Sequence, residues 1–216
     1  MSEHPLLVER SFAFERTLAT LLALFGFAAL GTQLYLFVVT QITQGNTAAW
    51  GLVLYFGYFT ILTNLFCAIV ATAIAKSPPA ESRWQGWRQP WVITAAAVAI
   101  LMVGVIFHVL LSAQYQPTGI SAVTNVIHHY LVPTGFTILW WRVVLRGTLS
   151  WSDLPRIVAY PFAYLVYILF RGEVTGLYPY FFIDVPQIGY TQALLNAGGI
   201  SIVFVAASAA FVALKR

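Results

Sequence analysis

Six stretches of this chain are each apolar for about the length a helix needs to cross a bilayer, and nothing else in the sequence limits the fold as much. They run Phe14–Val39, Trp50–Ala75, Trp91–Ser112, Ser121–Val144, Arg156–Phe170 and Thr191–Leu214. A spanning helix takes about 20 mostly apolar residues, because in hydrocarbon its backbone polar groups must be paired within the segment. The fifth stretch is the shortest, and Pro155 and Pro161 punctuate its start. Hydrophobic residues make up 60% of the chain and charged ones 8%, against about 25% charged in soluble domains. One globule of this size cannot hide so much apolar surface, which argues against a soluble enzyme, a nucleic-acid binder or a disordered chain. The first stretch is too long for a cleaved signal peptide and lacks a small-residue cleavage site. The expected fold is therefore all-α: a polytopic bundle of six transmembrane helices forming a single domain over residues 1–216, with no separate soluble domain.

The loops give an orientation. Arg10 precedes the first stretch and Arg16 lies in its first turn, and Lys76, Arg83 and Arg88 lie between the second and third. Arg142, Arg146 and Arg156 surround the loop between the fourth and fifth, and Lys215 and Arg216 follow the sixth. The alternate segments, Gln41–Ala49 and Gln114–Ile120, have no basic residue, and the long last loop has only Arg171, beside Glu173 and Asp184. Basic loops face the cytoplasm, so both termini are expected there, as in a bacterial inner-membrane protein.

Polar residues inside such helices are costly and call for a reason. Thr60, Thr63 and Asn64 stand at i, i+3 and i+4, and so do Asn125, His128 and His129; each set clusters on one side of its helix. Tyr160, Tyr164, Tyr167 and Arg171 form a third stripe. Asn196 lies early in the sixth stretch and His108 late in the third. On straight helices at 1.5 Å per residue, Thr60 lies ~15 Å and His129 ~12 Å below the outer surface. The polar groups then collect in the outer half of the bundle, as a pocket open outward or toward the outer leaflet. Each also has a plainer use: a threonine bonding back to its own helix, an asparagine joining helices, an interfacial tyrosine belt, Arg171 pairing with Glu173 or Asp184. Cys67, the sole cysteine, reads as a packed thiol.

No carboxylate lies in the middle of any stretch, which counts against proton-coupled transport and two-carboxylate hydrolysis. His108, His128 and His129 do not make a zinc set, which wants three or four ligands; His108 with His128 or His129 could hold a haem axially, but nothing demands it. The expectation is no metal and no cofactor. A hydroxyl and an imidazole remain. Thr60 is the candidate nucleophile with a histidine as its base, Asn64 or Asn125 the oxyanion donor, and Arg171 a clamp for a carboxylate headgroup. Adjacent helical residues point about 100° apart, so His128 and His129 cannot serve one site equally.

The segments YFTILTN (Tyr58–Asn64), HYLVP (His129–Pro133) with Trp140, YPFAYLVYILFRG (Tyr160–Gly172) and LYPYFFIDV (Leu177–Val185), followed by Gly189, Tyr190 and Asn196, resemble the bacterial family of predicted six-pass integral membrane proteins. More remotely they resemble the eukaryotic androgen-induced multi-pass proteins, threonine hydrolases that cleave fatty acid esters of hydroxy fatty acids. The resemblance implies a nucleophile at Thr60 and a histidine at His129, which follows Asn125 by four residues; counting back from Pro133 gives His128. The bacterial pattern has Gln-Ser where this chain has Leu62-Thr63, and an acidic residue where it has Leu139.

The resulting expectation is a membrane-embedded hydrolase of lipid acyl esters, with Thr60 as nucleophile, His129 or His128 as base, and Asn64, Asn125, Tyr164, Tyr167, Arg171 and Asn196 around the substrate. The partners would be the membrane and an amphiphilic ester, with no nucleic acid. The alternatives are a non-catalytic integral membrane protein that binds a lipid or amphiphile, and a haem- or metal-binding membrane protein.

Overall fold

The computed structural model describes residues 5–77 and 81–216, with side chains from residue 13 onward. The side chain of Arg10, counted above among the cytoplasmic basic residues, lies outside that description. All regular structure among the described residues is helical. α1 (Pro5–Thr43) is followed by a short α2 (Ala48–Tyr55), α3 (Phe59–Lys76) and α4 (Pro90–Ile106). Then come α5 (Ile120–Val126), α6 (Val132–Val143), α7 (Leu154–Thr175) and α8 (Val185–Lys215). Five helical segments are long and apolar enough to cross a membrane: Ala13–Thr43, Phe59–Lys76, Pro90–Leu111, Trp151–Thr175 and Val185–Lys215. With apolar side chains such as Val166, Phe170 and Ile202 at least 70% exposed, the chain has the make-up of an α-helical membrane protein.

α4 is the axis. Every residue from Val92 to Ile100 is buried, and α3, α6, α7 and α8 all pack on it. Its small side chains, Ala95, Ala96, Ala97 and Ala99, let those neighbours approach closely, which is how helices gain contact where lipid removes the hydrophobic drive. At one end of the bundle the packing is dense: Trp140 stacks against Phe211 with centroids 4.1 Å apart and donates its indole N–H to Thr94 at 3.0 Å. A cluster of charged groups lies at this same end. Arg142 pairs with Glu15 at 2.8 Å, and Lys215 donates to the Trp141 carbonyl at 2.8 Å.

Four of the expected stretches are not straight helices; the third widens into a π-helical turn at Phe107–Leu111. The second is broken at Phe56–Tyr58, between α2 and α3. The fourth is continuous helix over residues 120–143 but widens into a π-helical turn at Ile127–Leu131. The sixth begins earlier than expected and kinks at Gly189, whose φ of 77° is open to glycine. The fifth is longer than expected, at 22 residues: it starts two residues early, where Pro155 in the first turn has no N–H to lose, and runs on past Phe170 to Thr175. Pro161 sits inside that helix without ending it.

The break in the second stretch corrects the depth given to Thr60. Thr60 is in the first turn of α3 rather than midway down a straight span, so a distance counted along one helix from Trp50 does not apply. In an apolar setting an exposed carbonyl or N–H costs several kcal/mol, and the tyrosines pair the groups freed by the break. Tyr164 donates to the Gly57 carbonyl at 2.9 Å and Tyr167 to the Phe56 carbonyl at 3.3 Å. Tyr180, from the loop between α7 and α8, accepts the Phe59 N–H at 3.0 Å.

Candidate functional site

The end of the bundle opposite the charged groups carries two widened helical turns side by side. α4 continues into a π turn at Phe107–Leu111, and α5 into the π turn at Ile127–Leu131. Such turns insert one residue and are frequent at functional sites. The second precedes Pro133, whose ring nitrogen cannot donate to the His129 carbonyl four residues back; the helix is one residue wider just before it. Gly104 on α4 makes room for the contact, since a Cβ there would stand 3.1 Å from the His129 carbonyl.

These turns fix His129. Its ring stacks on Phe107, with centroids 3.8 Å apart and planes 15° from parallel. Its Nδ1 lies 3.1 Å from the Asn125 carbonyl. A carbonyl only accepts, so Nδ1 carries the proton and donates, which leaves Nε2 with its lone pair. Nε2 is 3.5 Å from the Thr60 hydroxyl. His128, on the other side of the turn, is 2% exposed, and its ring interacts with the Ala29 backbone of α1. The structure therefore sets His129, not His128, against Thr60.

Two cavities meet at Thr60. One, of about 330 Å³, is bordered by Gln33, Tyr58, Gln114, Asn125, His128 and His129. The other, of about 90 Å³, is an apolar groove between α4, α7 and α8, bordered by Val103, Ile106, Phe162, Leu165, Ile200 and Phe204. Thr60, Phe107, Leu111 and Tyr180 border both. His129 borders only the first.

The other expected site residues divide in the same way. Asn125 faces the polar cavity, and its Oδ1 has no hydrogen-bond partner. Tyr164 borders the apolar groove while it holds Gly57. Asn64 is fully buried behind Thr60. Its amide donates to the Thr60 carbonyl at 2.8 Å and the His128 carbonyl at 3.3 Å, which ties α3 to the π turn and leaves no N–H for an oxyanion. Tyr167, Arg171 and Asn196 border neither cavity. Arg171 is 7% exposed and lies against Gly57, where a Cβ would come within 2.8 Å of its guanidinium. It donates to the Leu177 carbonyl at 3.3 Å. Neither acidic neighbour pairs with it: Glu173 accepts the Tyr190 hydroxyl and Asp184 the Gln187 amide. Asn196 donates to the Phe182 carbonyl at 2.9 Å, which anchors the loop that carries Tyr180.

Tyr180 is the residue that sequence reasoning passed over. It belongs to a loop, and no periodicity tells where a loop folds back. Its phenol accepts the Phe59 N–H and interacts with the Thr60 side chain. Burial raises its pKa, so it stays a neutral O–H beside Thr60. His108 is exposed and paired with Tyr130 at 3.3 Å, apart from the cavity. Among the described residues no three His, Cys, Asp or Glu side chains gather as a metal site. Cys67 is buried, with its thiol directed to the Ala96 carbonyl. No family model, curated protein or solved structure matches the chain.

Proposed function

We propose that this chain is a membrane-embedded hydrolase of lipid acyl esters, with Thr60 as nucleophile and His129 as base. The observation that carries the proposal is the Thr60–His129 contact at 3.5 Å, on an imidazole whose far nitrogen is held by a carbonyl. That is the nucleophile, base and orienting group of a triad, with the Asn125 backbone in the third role. Unliganded nucleophile–base contacts are commonly long and tighten around substrate.

In the reaction, Thr60 Oγ attacks the ester carbonyl and its proton passes to His129 Nε2. Tyr180 donates its O–H to the developing oxyanion, a role worth about 3 kcal/mol for one placed donor. The C–O bond to the alcohol breaks, and His129 returns the proton to the leaving oxygen. Water, deprotonated by the same nitrogen, then releases the fatty acid from Thr60. Arg171 and Asn64 act at one remove, bracing the break and the π turn that set the two groups. The meeting of an apolar groove and a polar cavity at Thr60 suits an ester with one greasy and one hydrophilic half.

We further propose six crossings, with residues 120–143 as the fourth and both termini cytoplasmic, as the basic loops require. Both cavities then lie in the outer half of the bundle. A non-catalytic lipid carrier is the second reading, favoured by the apolar groove alone; it predicts binding without turnover.

The test is hydrolysis of a fluorogenic fatty acyl ester by purified protein. Thr60→Ala and His129→Ala are each expected to lose at least about a hundredfold in rate. Wild-type turnover in both variants would end this mechanism.

A further inference from the structure

The geometry also bears on which ester is cleaved, and this inference rests on the hydrolase reading above. His129 must return its proton to the leaving oxygen, and its ring borders only the polar cavity. The alcohol half of the substrate therefore lies in that cavity, and the acyl half runs into the groove between α4, α7 and α8.

The polar cavity is hydrophilic without being charged. No Lys, Arg, Asp or Glu borders it among the described residues. Its polar groups are the amides of Gln33, Gln114 and Asn125 and the phenols of Tyr58, Tyr115 and Tyr180, besides the two histidines. The Gln33 carbonyl oxygen already accepts from Thr124 at 2.7 Å, which leaves its NH2 group as a donor. Gln114 and the phenols of Tyr58 and Tyr115 can each donate or accept. The wall thus offers donors and acceptors together, the complement of a hydroxyl, which does both.

A carboxylate fits this wall badly. It only accepts, so it leaves the wall's acceptors unmatched, and no cation faces the cavity to offset its burial. Arg171, the one arginine near this end, is turned onto Gly57 and the Leu177 carbonyl. The cavity's 330 Å³ is roughly ten times the ~30 Å³ share of one water, room for a head group of glycerol or monosaccharide size.

We infer that the leaving alcohol is an uncharged polyol, as in an acylglycerol or a sugar ester, and not a hydroxy acid. The test uses four esters of one fatty acid with purified wild-type protein: 1-monoacylglycerol, a glucose monoester, the ester of a hydroxy fatty acid, and the methyl ester. At least one polyol ester is expected to exceed the hydroxy-acid ester in kcat/KM by about tenfold or more; which one distinguishes a glyceride from a sugar head. Gln33→Leu is expected to raise KM for the preferred polyol ester and shrink its advantage over the methyl ester. Equal or better cleavage of the hydroxy-acid ester, still dependent on Thr60, would overturn the polyol assignment and leave the hydrolase standing. Absence of Thr60-dependent cleavage of all four would overturn both.

Discussion

At the scale of single residues, catalysis depends on which nitrogen of which histidine holds a lone pair. The Asn125 carbonyl answers for His129, since it can only accept from Nδ1. His129→Gln is therefore expected to lower hydrolysis by ~10²–10⁴-fold, the usual worth of a general base. His128→Gln should remain within about tenfold of wild type, because the hydrogen bond to Thr60 comes from His129. Thr60→Ser keeps the hydroxyl and should retain turnover, whereas Thr60→Val keeps the shape and should not; steady-state rates on one acyl ester check all four. The resemblance offered two histidines, His129 four residues after Asn125 and His128 counted back from Pro133; in the fold it is His129 that lies 3.5 Å from the Thr60 hydroxyl. Spacing could not supply Tyr180, nor turn Arg171 away from the cavity, because both depend on how the loop after α7 folds back.

Among the elements, the break at Phe56–Tyr58 and the two π turns do most to shape the site. None was legible as a boundary. Phe56, Gly57 and Tyr58 are as compatible with a continuous apolar helix as with a break, and only the partners Tyr164, Tyr167 and Tyr180, more than a hundred positions away in sequence, make the break affordable. The apolar runs themselves were legible, because hydrocarbon admits little but helix. Removing one partner tests this. Tyr164→Phe takes the hydrogen bond from the Gly57 carbonyl and should cost about 1–3 kcal/mol, the penalty of a buried acceptor left alone, read as a lower unfolding midpoint in detergent. Gly57→Ala drives a methyl into the Arg171 guanidinium and should destabilise by about 1–3 kcal/mol. Pro133→Ala returns a donor to the His129 carbonyl. It is expected to relax the π turn toward α-helix, swing His129 from Thr60 and lower turnover while the protein stays folded.

Across the whole molecule there is a division between two ends. One is held by Glu15–Arg142, by Lys215 on the Trp141 carbonyl and by the Trp140–Phe211 stack. The other holds the cavities. Charge placed the first end in the sequence, since basic residues recur there; the cavities were legible only as a set of polar residues whose depth rested on straight helices. In a Cys67→Ala background, Asn46→Cys is expected to react with a membrane-impermeant maleimide on intact cells, and Thr148→Cys only after the membrane is opened. The reverse pattern would invert the topology.

The most direct measurement is a mass map of the protein after exposure to a long-chain alkyl fluorophosphonate. The account predicts one covalent adduct, on Thr60, that disappears in Thr60→Ala and falls sharply in His129→Ala. No adduct on Thr60, or one elsewhere that both variants keep, would contradict a Thr60–His129 nucleophilic pair.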